Sequence, residues 1–145
     1  MADRRRCFQG HIVKVILDTN VIIAAFATQG LCHLVLESVI AHHELILSEF
    51  ILAEVNDKLR QKIKLPLVRA NEITVFLKSH STVGRDPGVP GLNCRDKDDL
   101  PILFLAAFTG ADVIISEDED LLILGSISST AIVSPREFWD MLRNK

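Results

Sequence analysis

The sequence has no tyrosine and one tryptophan, Trp139. Its seven phenylalanines mostly fall in core patterns, so little is left with which to hold single-stranded nucleic acid by base stacking. Its three cysteines, Cys7, Cys32 and Cys94, are odd in number, widely spaced and without a CxxC pair. That excludes a disulfide framework and argues against a zinc site, so reduced thiols and a cytoplasmic setting are expected. Seven glycines and five prolines in 145 residues exclude a collagenous or low-complexity chain. No apolar run reaches the ~18 residues a membrane span needs, so no membrane partner is expected. The opening MADRRRCFQG lacks the apolar core and small-residue cleavage site of a secretory signal. Excess positive charge is missing too. The formal net charge is −3, which argues against binding nucleic acid by bulk charge.

What is present is an ordinary globular composition, with 48% hydrophobic and 24% charged residues. One domain over 1–145 is expected, with residues 1–11 as an N-terminal extension, and it is long enough to bury a core without staples. The charge is unevenly placed. Eight of the nineteen acids fall between Asp96 and Asp120, where Lys97 is the sole base, whereas 57–85 holds seven bases and two acids. A dense acidic locus needs a compensating cation or open water.

Residues 12–17 (IVKVIL) are apolar and β-branched and stop at Asp18, as a buried central strand would. A short helix is expected over 20–27 and a second up to His42, separated by the Gln29-Gly30 turn. Leu45–Leu47 reads as a strand ending at Ser48, which N-caps a helix running to Lys62. Another helix is expected over 66–80. Residues 81–95, rich in glycine and proline, read as loop with at most one short strand. The helix over 99–109 is apolar all round, which predicts a central, buried position. A strand over 113–116, a helical turn over 118–124, a strand over 131–133 and a helix over 135–143 complete the chain. Strands alternating with helices predict an α/β domain with a parallel sheet, whose ligands bind beyond the carboxyl ends of the strands. The helices at 20–41 also carry more apolar positions than one face buries, which suggests a homodimer.

Four acidic positions stand out. Asp18 ends the first strand and Asp118 the third, and Asp99 opens the apolar helix, with Asp96 and Asp98 just before it. Glu54 lies within an apolar arc of its helix, where an acid is costly without a partner. Singly, Asp18 and Asp98 or Asp99 read as helix caps, and Asp118 and Asp120 as solvated turn residues. Together they gather several carboxylates near one sheet edge with no matching number of lysines or arginines. Such groups raise one another's pKa unless a cation holds them. Oxygen-only ligands favour Mg²⁺ or Mn²⁺, the usual means of hydrolysing a phosphodiester. Cys94 has no neighbouring base, and His11, His33, His42, His43 and His80 read as surface or packing residues.

The segments VKVILDTNVIIAAF, LSEFILAEV, RDKDDLPILFLAA and GADVIISEDEDLL, in this order and at these separations, resemble PIN-domain proteins. They are most similar to the toxins of bacterial toxin–antitoxin pairs (VapC-like). The resemblance implies a three-layer α/β fold with a five-stranded parallel sheet flanked by helices. It also implies a metal-dependent ribonuclease acting on single-stranded or loop RNA, often dimeric and neutralised by a small antitoxin. On the matching positions Asp18, Glu54, Asp99 and Asp118 are the site acids. Asp18, Asp99 and Asp118 would hold Mg²⁺ or Mn²⁺. Thr19, Asn20, Ser48 and Ser116 match supporting polar residues, and Asp96 and Asp120 flank the acids. Whether Asp96, Asp98 or Asp99 is the third acid is open at this point. After the third strand, where the family often has Thr-Gly-Asp, this chain has Ser116-Glu117-Asp118.

Other functions fit less well. A phosphatase using a phospho-aspartate needs a second aspartate two residues after the first, and that position is Asn20. A receiver domain needs a lysine near the last strand, where Val133-Ser134-Pro135 stands. The remaining alternative is a PIN-like binding or scaffold module without significant catalysis. For substrate contacts the candidate cations are Arg4, Arg5 and Arg6, or Lys58, Arg60, Lys62 and Lys64. The second group also reads as the solvated end of a helix, where cations are favoured.

Overall fold

The computed structural model describes residues 12–84 and 100–143. Its strands are β1 (Lys14–Leu17), β2 (Glu44–Ser48), β3 (Thr82–Gly84), β4 (Val113–Ile115), β5 (Ser126–Ile127) and β6 (Thr130–Val133). The helices are α1 (Thr19–Ala27), α2 (Leu31–His42), α3 (Glu49–Gln61), α4 (Leu67–Ser79), α5 (Leu100–Thr109), α6 (Glu119–Leu124) and α7 (Pro135–Arg143). The strands form one sheet in the order β3-β2-β1-β4-β6-β5. All pairs are parallel except β5–β6. The expected five-stranded parallel sheet is therefore present, with a sixth, antiparallel strand added at its edge. That strand has two residues, too few to leave an alternating pattern in the sequence.

Apolar content explains the centre of the sheet. Val15, Ile16, Leu17 and Val113, Ile114, Ile115 are fully buried, as parallel strands covered on both faces require. From β1 the chain steps outward through β2 and β3, then returns to place β4 on the other side of β1. The order thus reverses between β1 and β4. Beyond their carboxyl ends lies the crevice where open α/β sheets bind ligands.

The helices pack in a chain of neighbours, α1 on α2 and α3, α3 on α4, and α2 on α7. This arrangement absorbs most of the apolar surplus on α1 and α2. Val21, Ile22, Val35 and Val39 are fully buried within the one chain, although Leu34 is exposed. The surplus therefore does not by itself call for a second copy. The expectation for α5 needs a larger correction. Ile102, Leu105 and Ala106 are buried, but Phe108 is 63% exposed and Ala107 is exposed. Only one face of this helix meets the sheet, so an all-round apolar composition did not mean all-round burial. Its close approach to the sheet falls at Gly84, where a Cβ would lie 2.7 Å from Leu105 Cδ1 and 3.1 Å from Thr109 Cγ2. Among the described residues no single helix is long and apolar enough to cross a membrane.

Candidate active site

The site is built at the ends of β1 and β4. The backbone N–H of Asp18 donates to the carbonyl of Ile115, the last residue of β4, continuing the β1–β4 ladder one residue beyond β1. Asp18 also caps α1, with its Oδ1 accepting from the Thr19 N–H at 2.8 Å. The cap reading of this residue is borne out, and capping uses one carboxylate oxygen. The other, Oδ2, accepts from the Ser116 hydroxyl at 2.8 Å, across 98 residues of sequence. Ser116 is fully buried, and its Oγ in turn accepts from the Asp118 N–H at 2.9 Å. One hydroxyl therefore fixes the carboxylate of Asp18 and the backbone of Asp118. Asp118 caps the short helix α6, its Oδ1 accepting from the Asp120 N–H. The Asp120 residue itself is exposed.

Glu54 comes from the helix packed against α1. Ser48 starts that helix, its hydroxyl accepting from the Ile51 N–H at 3.1 Å. Ile51, Leu52, Val55 and Leu59 then form its buried face. Glu54 lies within this arc, half-buried. It has the partner that such an acid needs: the buried Thr19 hydroxyl donates to Glu54 Oε1 at 2.5 Å. Asn20, next in sequence, faces a different residue. Its Oδ1 accepts from Lys58 Nζ at 3.2 Å, one helical turn beyond Glu54.

Electrostatics join the three acids. Burial pushes the Asp18 carboxyl above its ordinary range. The hydrogen bonds from Ser116 and Thr19 oppose that shift, and the charges of Glu54 and Asp118 add to it. Asp18, Glu54 and Asp118 are thus brought into one electrostatic neighbourhood from β1, α3 and the β4–α6 turn. Among the described residues none of them has a lysine or arginine ion-pair partner. Ser48 acts on this site through the helix it caps. Asp96, Asp98 and Asp99 lie outside the described residues, and so do Cys7, Cys94, His11 and Arg4–Arg6. Among the described residues no group of three acidic, histidine or cysteine side chains forms a metal cage. The chemistry of the donors present still fits a hard divalent ion: oxygen ligands only, with no lysine or arginine ion-paired to them among the described residues.

Two contacts had no clear sequence signal. The Cys32 thiol donates to Glu117 Oε1 at 3.9 Å, and burial with the Glu117 charge raises its pKa to about 11. The thiol is therefore protonated at neutral pH and a poor nucleophile. The Lys58–Asn20 bond could be sought only through the spacing of Lys58 from Glu54. His43 has the packing role expected of it. His43 Nδ1 accepts from the Val13 N–H, and its ring meets Phe138 edge-on.

Comparison with known proteins bears on the fold and the family. The structure resembles a chain in the crystal structure of VapBC2 from Rickettsia felis bound to a DNA fragment from their promoter. The TM-score is 0.61 at 15% identity, over 83% of this chain and 98% of that one. No curated protein matches the sequence. The family model for the PIN domain matches residues 14–120, a span that begins in β1 and ends just after Asp118. With that match over most of its length and the acids at the strand ends where the fold binds ligands, the chain belongs to the PIN-domain family.

Proposed function

We propose that the protein is a cytoplasmic, Mg²⁺- or Mn²⁺-dependent endoribonuclease that cuts single-stranded or loop RNA. In this reading it is the toxin of a toxin–antitoxin pair and works as a homodimer. The observation that carries the proposal is the convergence of Asp18, Glu54 and Asp118 without a cationic partner. PIN domains are generally nucleases. The VapC-like sequence motifs and the fold shared with the VapBC2 chain support a small antitoxin as partner. Exposed Leu67, Val68, Val75 and Phe76 on α4 leave apolar surface for a protein contact.

In this mechanism Asp18 and Asp118 would hold the ion together with one acid from 96–99, for which Asp99 is proposed. Bound Mg²⁺ or Mn²⁺ would lower the pKa of an attacking water and stabilise charge on the phosphate. Ser116 orients Asp18 by donating to Oδ2, leaving the carboxylate its remaining lone pairs for an ion. Thr19 fixes Glu54 through Oε1, so Oε2 is the oxygen available to ligate or to accept a proton. No histidine is needed.

The test is cleavage of a mixed-sequence single-stranded RNA with Mg²⁺, with Mn²⁺ and with EDTA, beside Asp18→Ala. Metal-dependent cleavage that disappears in the variant is expected. A folded protein that never cleaves, while still binding a protein partner, supports the scaffold alternative instead.

A further inference from the structure

We infer that Lys58, held by Asn20, is the residue that grips a backbone phosphate of the RNA at the rim of the acidic site. The inference rests on the ribonuclease reading and adds a substrate-binding residue to it. Two consecutive residues at the start of α1 reach across to α3. Thr19 holds Glu54, and Asn20 holds Lys58. Glu54 and Lys58 are four residues apart on one helix, so they occupy the same face one turn apart. The ties are parallel, and they hold one acid and one cation of α3 against the two residues that follow Asp18.

Partial burial and an anchoring hydrogen bond separate Lys58 from Arg60, Lys62 and Lys64. Lys58 is half-buried, whereas Arg60, Lys62 and Lys64 are exposed. Its hydrogen-bond partner is a neutral amide, and among the described residues no carboxylate forms an ion pair with it. An ammonium has three donors, and Asn20 takes one of them. A cation needed only to complement the end of α3 has no reason to be anchored to the helix that carries Asp18. RNA approaching clustered carboxylates must overcome their repulsion, and one fixed positive charge beside them offsets part of it. Asn20 is then a positioning residue for Lys58. Among the described residues its hydrogen bond goes to Lys58 and to none of Asp18, Glu54 and Asp118.

The experiment measures binding of a fluorescein-labelled mixed-sequence single-stranded RNA by anisotropy in EDTA across a salt series. Steady-state cleavage of the same RNA with Mg²⁺ accompanies it, for wild type, Lys58→Met and Lys58→Arg. Loss of one phosphate contact reduces the slope of log affinity against log salt by about 0.7 for a single strand. Lys58→Met is expected to show that reduction, with affinity about tenfold weaker at low salt. KM should rise by a similar factor and kcat change less. Lys58→Arg should restore the slope, which a purely structural link between α1 and α3 would not require. If Lys58→Met fails to fold by circular dichroism, Lys58→Gln, which still donates to Asn20, carries the same test. An unchanged salt slope and KM in the folded, charge-free variant, with wild type binding normally, overturns the role of Lys58 and leaves the nuclease reading standing. Wild-type protein that neither binds nor cuts RNA overturns both.

Discussion

Burial and two neighbouring carboxylates both oppose the ionised form of Asp18. A carboxyl whose pKa is higher folded than unfolded binds more protons in the native state, so stability falls as pH rises. For Asp18 the loss begins near the ordinary value of 3.8 and is complete once the folded group has ionised. Asp18→Asn removes this titration. Its melting temperature, relative to wild type in EDTA, is therefore expected to rise between pH 4 and pH 7, while cleavage is abolished. A difference that stays flat across that range would show that the carboxyl is not held uncomfortably in the native state. His43 has the opposite slope. Burial, and to a lesser degree the charge of His42, lower its pKa, and its Nδ1 must stay unprotonated to accept from Val13. The unfolded chain therefore binds the extra proton, and stability is lost as pH falls below about 6.5. His43→Gln, which still offers an acceptor, should weaken that loss in scanning calorimetry between pH 7 and pH 5. Much of the site was readable at this scale, for physical reasons. Asp18 and Asp118 mark where apolar strands stop, and Glu54 interrupts an apolar arc. The roles of Asn20 and Cys32 were not readable, because each depends on a side chain from a distant element.

Elements position these residues, and two substitutions test that. Ser48 is buried and caps α3, the helix that carries both Glu54 and Lys58. Ser48→Ala should cost about 1 kcal/mol in urea denaturation, the usual loss for an N-cap hydroxyl. Its effect on cleavage should be larger than that stability loss implies, because the start of the helix sets where Glu54 meets Thr19. Gly84 lies where β3 meets α5, and an added Cβ runs into the buried Leu105 and into Thr109. Gly84→Ala should destabilise by about 1–3 kcal/mol, as overpacking does. Most elements were legible because their signals are local: Ser48 as a cap, the Gln29-Gly30 break between two helices, and Pro135 at the first turn of α7. Two features were not. β5 is paired only through two residues of a hairpin onto β6, a tertiary fact with no period to detect. The exposure of Phe108 depends on how much of α5 the sheet can cover, and hydrophobicity alone carries no information about that.

At the scale of the whole molecule, the site exists only when the sheet is formed. Asp18 and Ser116 meet across 98 residues, and Glu54 is brought to Thr19 by the packing of α1 on α3. The unfolded chain scatters these groups and offers a divalent ion no comparable site. An ion that binds only the native state stabilises it by an amount that grows with the logarithm of ion concentration. The gain is about 2.7 kcal/mol at one hundred times the dissociation constant. Wild-type protein, stripped with EDTA and titrated with Mn²⁺, should therefore show a melting temperature that climbs steadily without a plateau. The same titration of Asp18→Asn should be nearly flat, since a ligand oxygen and a negative charge are both lost. A surface variant such as Arg69→Ala, whose side chain pairs with Glu72 on the exposed face of α4, should climb like wild type. Equal slopes for wild type and Asp18→Asn would place the bound ion elsewhere on the acidic surface. Metal would then be a general counterion, and the carboxylates at the β1–β4 crevice would be left without the ion that the nuclease mechanism requires.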